Sequence, residues 1–158
     1  MQLPDLTLNA AGSRHDFKLS AFGVPTVLVF HGQNTAEAAL EVNKTVRAAH
    51  PDPSQVAIAS IIDLRSFPSM FHGMVKPELE KAYLKASSKL PEGTDARDYV
   101  ILLPDWDGSV TDTLGISNST STAAIMVADA AGNVVGTEQG ENLGDAALKL
   151  LTGLLTDS

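Results

Sequence analysis

Two runs of almost unbroken aliphatic and β-branched residues, Val24-Pro25-Thr26-Val27-Leu28-Val29-Phe30 and Val56-Ala57-Ile58-Ala59-Ser60-Ile61-Ile62, constrain this chain more than any other feature. A strand that reads apolar at nearly every position, rather than at alternate ones, is covered on both faces, as in the middle of a parallel sheet. Pro25 stands at the entry of the first run, where its missing N–H is tolerated. Between the runs the signals turn helical. Gly32-Gln33 breaks the strand, Asn34 and Glu37 have the spacing of an N-cap and its capping-box partner, and Pro51 and Pro53 stop the helix after about His50. Strand, helix and strand in that order form a right-handed crossover unit.

The remaining punctuation completes one α/β unit. Leu6-Thr7-Leu8 and Phe17-Lys18-Leu19, separated by Ala11-Gly12-Ser13, predict an N-terminal hairpin. Pro77 suits the first turn of a second helix, with Leu79, Ala82, Tyr83, Ala86 and Leu90 on one face and Pro91-Glu92-Gly93 at its end. Tyr99 to Leu103 reads as a third strand, Pro104 to Gly108 as a turn, and Ser109 as the cap of a short helix to Leu114. Ala124 to Ala128 and Asn133 to Val135 flank Asp129-Ala130-Ala131-Gly132, the composition of a hairpin connection, so this pair is expected to be antiparallel. A final amphipathic helix covers about Asn142 to Leu155. The expected fold class is α/β: a mixed central sheet with helices on both faces and an N-terminal hairpin, residues 1–158 forming a single domain. A chain of 158 residues, 44% of them hydrophobic, is large enough for one core without staples.

Composition then excludes several functions. The chain holds no cysteine, which removes every mechanism that needs its own thiol, from disulfide exchange and peroxide reduction to zinc ribbons and iron–sulfur clusters. A net charge of -8 and a pI near 4.8 repel phosphate backbones and anionic headgroups, so neither nucleic acid nor membrane is an expected partner. The start Met1-Gln2-Leu3-Pro4-Asp5 has neither a basic nor an apolar leader pattern, and a cytoplasmic location is expected. No cofactor is indicated. A protein partner or a homo-oligomer is the expected kind of association.

Four pieces in order carry a family resemblance: Leu3-Pro4-Asp5-Leu6-Thr7-Leu8; Thr26 to Phe30 running into a helix; Leu103 to Gly108 with Leu114-Gly115-Ile116; and Ile125 to Val135. Together they resemble the thioredoxin superfamily, in particular its redoxin and peroxiredoxin-like (AhpC/TSA-type) branch, over nearly the whole chain. The resemblance implies a thioredoxin-like fold whose chemistry would sit on the loop after the first core strand, here His31-Gly32-Gln33-Asn34-Thr35-Ala36-Glu37-Ala38. Against the thioredoxin C-x-x-C pattern, Thr35 and Ala38 stand where the cysteines would be. Against the peroxiredoxin P-x-x-x-T-x-x-C pattern, His31 replaces the proline, Thr35 keeps the threonine and Ala38 replaces the reactive cysteine. The cis-proline or arginine position of the family falls near Ala123. The resemblance therefore implies a redox-inactive member with no catalytic residues, serving as a binding, scaffold or regulatory module. The alternative is an antioxidant-related protein acting through a partner's thiols, or through a ligand or metal held near the strand-to-helix loop.

Candidate sites follow from that loop. His31, Gln33, Asn34 and Thr35 lie at a helix N-terminus whose free amides could receive an anion or a polar small molecule, and Trp106, the single tryptophan, could add a contact surface. His31 and Thr35 as base and nucleophile lack a third orienting group. Met70, His72 and Met74 offer soft ligands of the sort Cu(I) accepts, but match no motif, and core packing is the competing reading. Asp105 and Asp107 resemble a fragment of a calcium loop, yet Leu103 and Leu114 occupy positions that would have to supply oxygens, so the segment reads as a turn.

Overall fold

A computed structural model describes residues 1–156; of the expected span 1–158, Asp157 and Ser158 lie outside the described residues. Thr7–Asn9 (β1) and Asp16–Lys18 (β2) form the antiparallel N-terminal hairpin, with Leu8 opposite Phe17. The main sheet holds Thr26–His31 (β3), Ala57–Asp63 (β4), Leu102–Asp105 (β5), Ala124–Ala128 (β6) and Val134–Gln139 (β7), in the order β5-β4-β3-β6-β7. β3 pairs parallel with β4, and β4 with β5; β6 runs antiparallel to both β3 and β7. Every residue of β3 and β4 is buried, as their unbroken apolar runs require.

Strand alternation divides the core in two. Val27, Val29, Ile58 and Ile125 face Ala36–Ala49 (α1) and Leu143–Thr156 (α4), while Leu28, Phe30, Ala59 and Ile61 pack with Leu3, Leu19 and Val110 from the N-terminal segment and Ser109–Thr113 (α3). The mixed sheet thus carries helices on both faces, as expected. α1 and α4 approach closely where Gly144 leaves no room for a Cβ, which would stand 2.8 Å from Cβ of Thr45.

Local boundaries depart from the sequence reading in several places, among them the last strand, which runs on to Gln139. The second helix, His72–Ser87 (α2), begins five residues before Pro77 and ends before Leu90, so the proline lies inside it. An interior proline forgoes one backbone bond; α2 tolerates it because none of its residues is buried, leaving its carbonyls within reach of water. The third strand begins at Leu102, because Ala96–Asp98 forms a 3-10 turn and the amides of Tyr99 and Val100 bond back to the carbonyl of Ala96. Pro104 belongs to that strand, acceptable at the sheet edge. Ser109 is not the cap of α3: the buried carboxylate of Asp105 accepts from the amides of Val110 (3.2 Å) and Thr111 (2.8 Å) and from the Thr111 hydroxyl (2.7 Å). Nor does Asn34 cap α1, which follows a 3-10 turn over Gln33–Thr35 with Thr35 at the N-cap.

Candidate functional site

The carboxyl end of β3 and the loop after it hold the residues that the sequence singled out. Thr35 is half-buried, and its hydroxyl oxygen accepts from the Gly32 amide (2.9 Å) while the hydroxyl donates to the carbonyl of Ser119 (2.8 Å). That second bond ties the strand-to-helix loop to the loop before β6. Gly32 closes the same seam: a Cβ there would stand 2.8 Å from Cγ2 of Thr120. Ala38 packs against the α1–α4 core and Ala123 is buried within it. Of the three positions, Thr35 is held by hydrogen bonds and the two alanines by packing.

Behind the seam lies a polar network that the sequence reading missed. The Ser119 hydroxyl reaches the buried carboxylate of Asp63 (3.3 Å), which accepts two contacts from Nε of Arg65 (2.9 and 3.0 Å). Arg65 continues to Asp112 on α3 (2.8 and 3.1 Å) and to the carbonyl of Gly108 (3.1 Å). The hydrogen bonds to Asp112 and Asp63 hold the guanidinium further above its already high range. The network joins the end of β4 and the loop before β6 to α3. Only the Asp63–Arg65 step is local; Asp112 lies 47 residues from Arg65 and Ser119 56 from Asp63, so no spacing in the sequence announces the network.

His31 points elsewhere. It is 7% exposed, and Nδ1 donates to the carbonyl of Gly32 (3.0 Å), which leaves Nε2 without a proton in the neutral ring. Burial lowers its pKa below the ordinary histidine range, opposed only in part by the Gly32 bond. The ring borders a cavity of about 760 Å³ between α1, α2 and the sheet, lined mainly by apolar side chains such as Ala39, Ile62, Leu64, Phe67, Val75 and Leu79. Gln33 is exposed and borders the same cavity; Thr35, Asn34 and Trp106 do not line it. Asn34 is exposed, and Trp106 packs against the His72 ring (4.5 Å between centroids), with Nζ of Lys76 5.8 Å from the indole centroid. The structure thus separates Trp106 from the loop residues it was grouped with.

The soft-ligand trio spans the 3-10 turn before α2 and the first turn of that helix. Nε2 of His72 meets the carbonyl of Phe67 (3.2 Å) and its ring lies on Trp106, whereas Met74 borders the apolar cavity and Met70 is 79% exposed. Among the described residues, no group of three or more His, Asp or Glu side chains is placed to hold a metal ion. Nor, among them, is any helix long and apolar enough to cross a membrane.

No protein-family model and no curated protein matches the chain. Solved structures do. The exposed lipoprotein thioredoxin Etrx1 of Streptococcus pneumoniae is similar at a TM-score of 0.63 with 18% identity, covering 95% of this chain and 99% of that one. A thiol-disulfide oxidoreductase of Bacteroides fragilis gives 0.61 with 16% identity over 99% and 98% of the two chains. A secreted Mycobacterium tuberculosis disulfide oxidoreductase gives 0.59 with 14% identity over 94% and 96%. The names of these neighbours denote dithiol chemistry, and the chain that shares their architecture has no cysteine. This is a thioredoxin-like fold, with an N-terminal hairpin, that carries none of the sulfur on which thiol–disulfide exchange depends.

Proposed function

We propose that this chain is a redox-inactive thioredoxin-like binding module, in which the fold serves as a scaffold and not as an electron carrier. The observation that carries the reading is the seam around Thr35. Both positions matched to the family's thiols hold residues that cannot cycle electrons, and the Thr35 hydroxyl is engaged by Gly32 and Ser119, so the loop offers no nucleophile to a disulfide or a peroxide. The neighbouring His31 opens onto an apolar cavity, a feature suited to holding a molecule and not to exchanging thiols. Placement in the AhpC/TSA-type branch rests on the sequence pieces alone, chiefly Leu3 to Leu8 and Thr35. A cytoplasmic setting belongs to the same proposal, and the chain has no thiol whose state that setting would change.

The test is turnover by the purified protein without any added thiol protein, measured as insulin reduction with dithiothreitol and as consumption of hydrogen peroxide. Rates equal to the protein-free blank are expected in both assays. Reproducible turnover in either would overturn the reading and favour an enzyme built on His31 and the strand-to-helix loop.

A further inference from the structure

The cavity between α1, α2 and the sheet is more than a packing defect, for three reasons. Its volume of about 760 Å³ falls in the range of small-molecule sites, far above the voids left by imperfect packing. Leu40, Phe71 and Met74 border it while 70%, 43% and 68% exposed, so large apolar side chains surround its mouth instead of closing over it. And its floor is selectively polar. His31 and Ser60 lie on one face of the paired strands β3 and β4, as diagonal neighbours, given that Val29 is registered with Ser60 and His31 with Ile62. Both border the cavity and are 7% and 5% exposed.

These two polar groups have unused capacity. Nδ1 of His31 is committed to Gly32, so Nε2 remains an acceptor; among the described residues neither it nor the Ser60 hydroxyl bonds to another protein group, and neither is sealed, the buried side-chain polar atoms without a partner being Nε and Nη2 of Arg47. A cavity floor that offers a free acceptor and a free hydroxyl on one sheet face is complementary to a group that both donates and accepts. The charged side chains bordering the cavity, Glu78, Lys85 and Lys89, are exposed positions on or just beyond α2, away from that floor. A carboxylate placed at the floor would face the lone pair of a neutral imidazole; a hydroxyl would donate to it.

Resting on the binding-module reading, we propose that this cavity takes an uncharged, mainly aliphatic ligand with a single hydroxyl, its hydroxyl seated between Nε2 of His31 and Oγ of Ser60 and its hydrocarbon between α1 and α2. The hydroxyl donates to His31 and accepts from Ser60, which engages both groups at once. The apolar walls supply the affinity and the two polar atoms the orientation.

The experiment is a titration with three probes of equal chain length, 1-decanol, decanoate and decane, followed by displacement of the uncharged fluorophore N-phenyl-1-naphthylamine and checked by calorimetry. Decanol is expected to bind most tightly, on the order of tenfold better than decane, as one to two hydrogen bonds to buried neutral groups allow. In Ser60→Ala and His31→Phe that preference should shrink toward onefold while decane affinity holds. Ala82→Phe, a change at an exposed α2 position bordering the cavity, should weaken all three without disturbing the core. Equal affinity for decanol and decane overturns the proposal, as does tightest binding of decanoate, which would assign the site to Lys85 and Lys89, or binding of none. None of these outcomes touches the turnover assay, so the two readings fail separately.

Discussion

At the scale of single residues, His31 is the clearest case of a group whose environment differs from what its neighbours in sequence suggest. Its place at the end of a buried strand was legible; its position against an apolar cavity was not, because that depends on how α2 stands off from the sheet. The consequence is a dependence of stability on pH. Burial lowers the imidazole pKa in the folded chain, so the unfolded chain binds the proton first, at about 6.5. Stability is whole above that pH and declines as the pH falls through the folded-state pKa. Glu78, Lys85 and Lys89 border the same cavity from the α2 side, and Tyr99 from the segment before β5, but all four lie at exposed or half-buried positions. Urea unfolding of the protein and of His31→Gln, compared from pH 7.5 to 5, should show a steeper acid decline for the unsubstituted chain, with a limiting difference of about 1.4 kcal/mol per pH unit for one proton. Parallel curves would mean that His31 protonates in the folded chain as readily as in the unfolded one.

At the scale of elements, the strands and helices with strong one-dimensional signals were readable and those shaped by three-dimensional partners were not. β3 and β4 declared themselves by unbroken apolar runs, and β6 and β7 by the turn at Asp129, whose carboxylate accepts from the amides of Ala131 and Asn133. α2 did not, since Pro77 marks a helix start only when nothing upstream is helical, and here a 3-10 turn at Ser69–Phe71 nucleates the helix earlier. The cap of α3 was missed because its acceptor, Asp105, is a strand residue four positions before Ser109. Ser60, the single polar residue in Val56 to Ile62, was the one available sign that this strand borders something other than core. The start of α1 permits a direct check on how the loop corresponds to a C-x-x-C motif. Thr35 at the N-cap and Ala38 in the first turn are three residues apart, a spacing compatible with the Cα separation of about 4.4 to 6.8 Å that a disulfide needs. Thr35→Cys with Ala38→Cys should therefore form an intramolecular disulfide under mild oxidation, at a cost of about 1 to 2 kcal/mol from the lost bonds to Gly32 and Ser119. Mass spectrometry finding two free thiols after that treatment would show that the positions are not equivalent to the family's pair.

For the whole molecule, the uneven distribution of burial predicts an uneven distribution of stability. The sheet is clamped from one side by α1 and α4, which bury Ala39, Val42, Val46, Ala147 and Leu151, and from the other by α3 and the N-terminal segment. α2 buries nothing completely. It is held through the hairpin, where Gly12, at φ +81°, lies so close against Tyr83 that a Cβ would overlap the ring, and through an exposed Arg14–Glu80 pair at 3.9 Å, which contributes little. Local opening free energy tracks buried apolar contact, so α2 is expected to open independently of the sheet. Amide hydrogen exchange should then rank the elements: β3, β4 and β6 exchange only through global unfolding, α1 and α4 somewhat faster, and residues 75–87 of α2 fastest of the long helices, by at least tenfold. Such an order would tie the mobility of α2 to the cavity beside it, which a loosely held helix leaves open to a ligand. Protection of α2 equal to that of α1 and α4 would instead mean that contacts through the hairpin hold this helix as firmly as a packed core does.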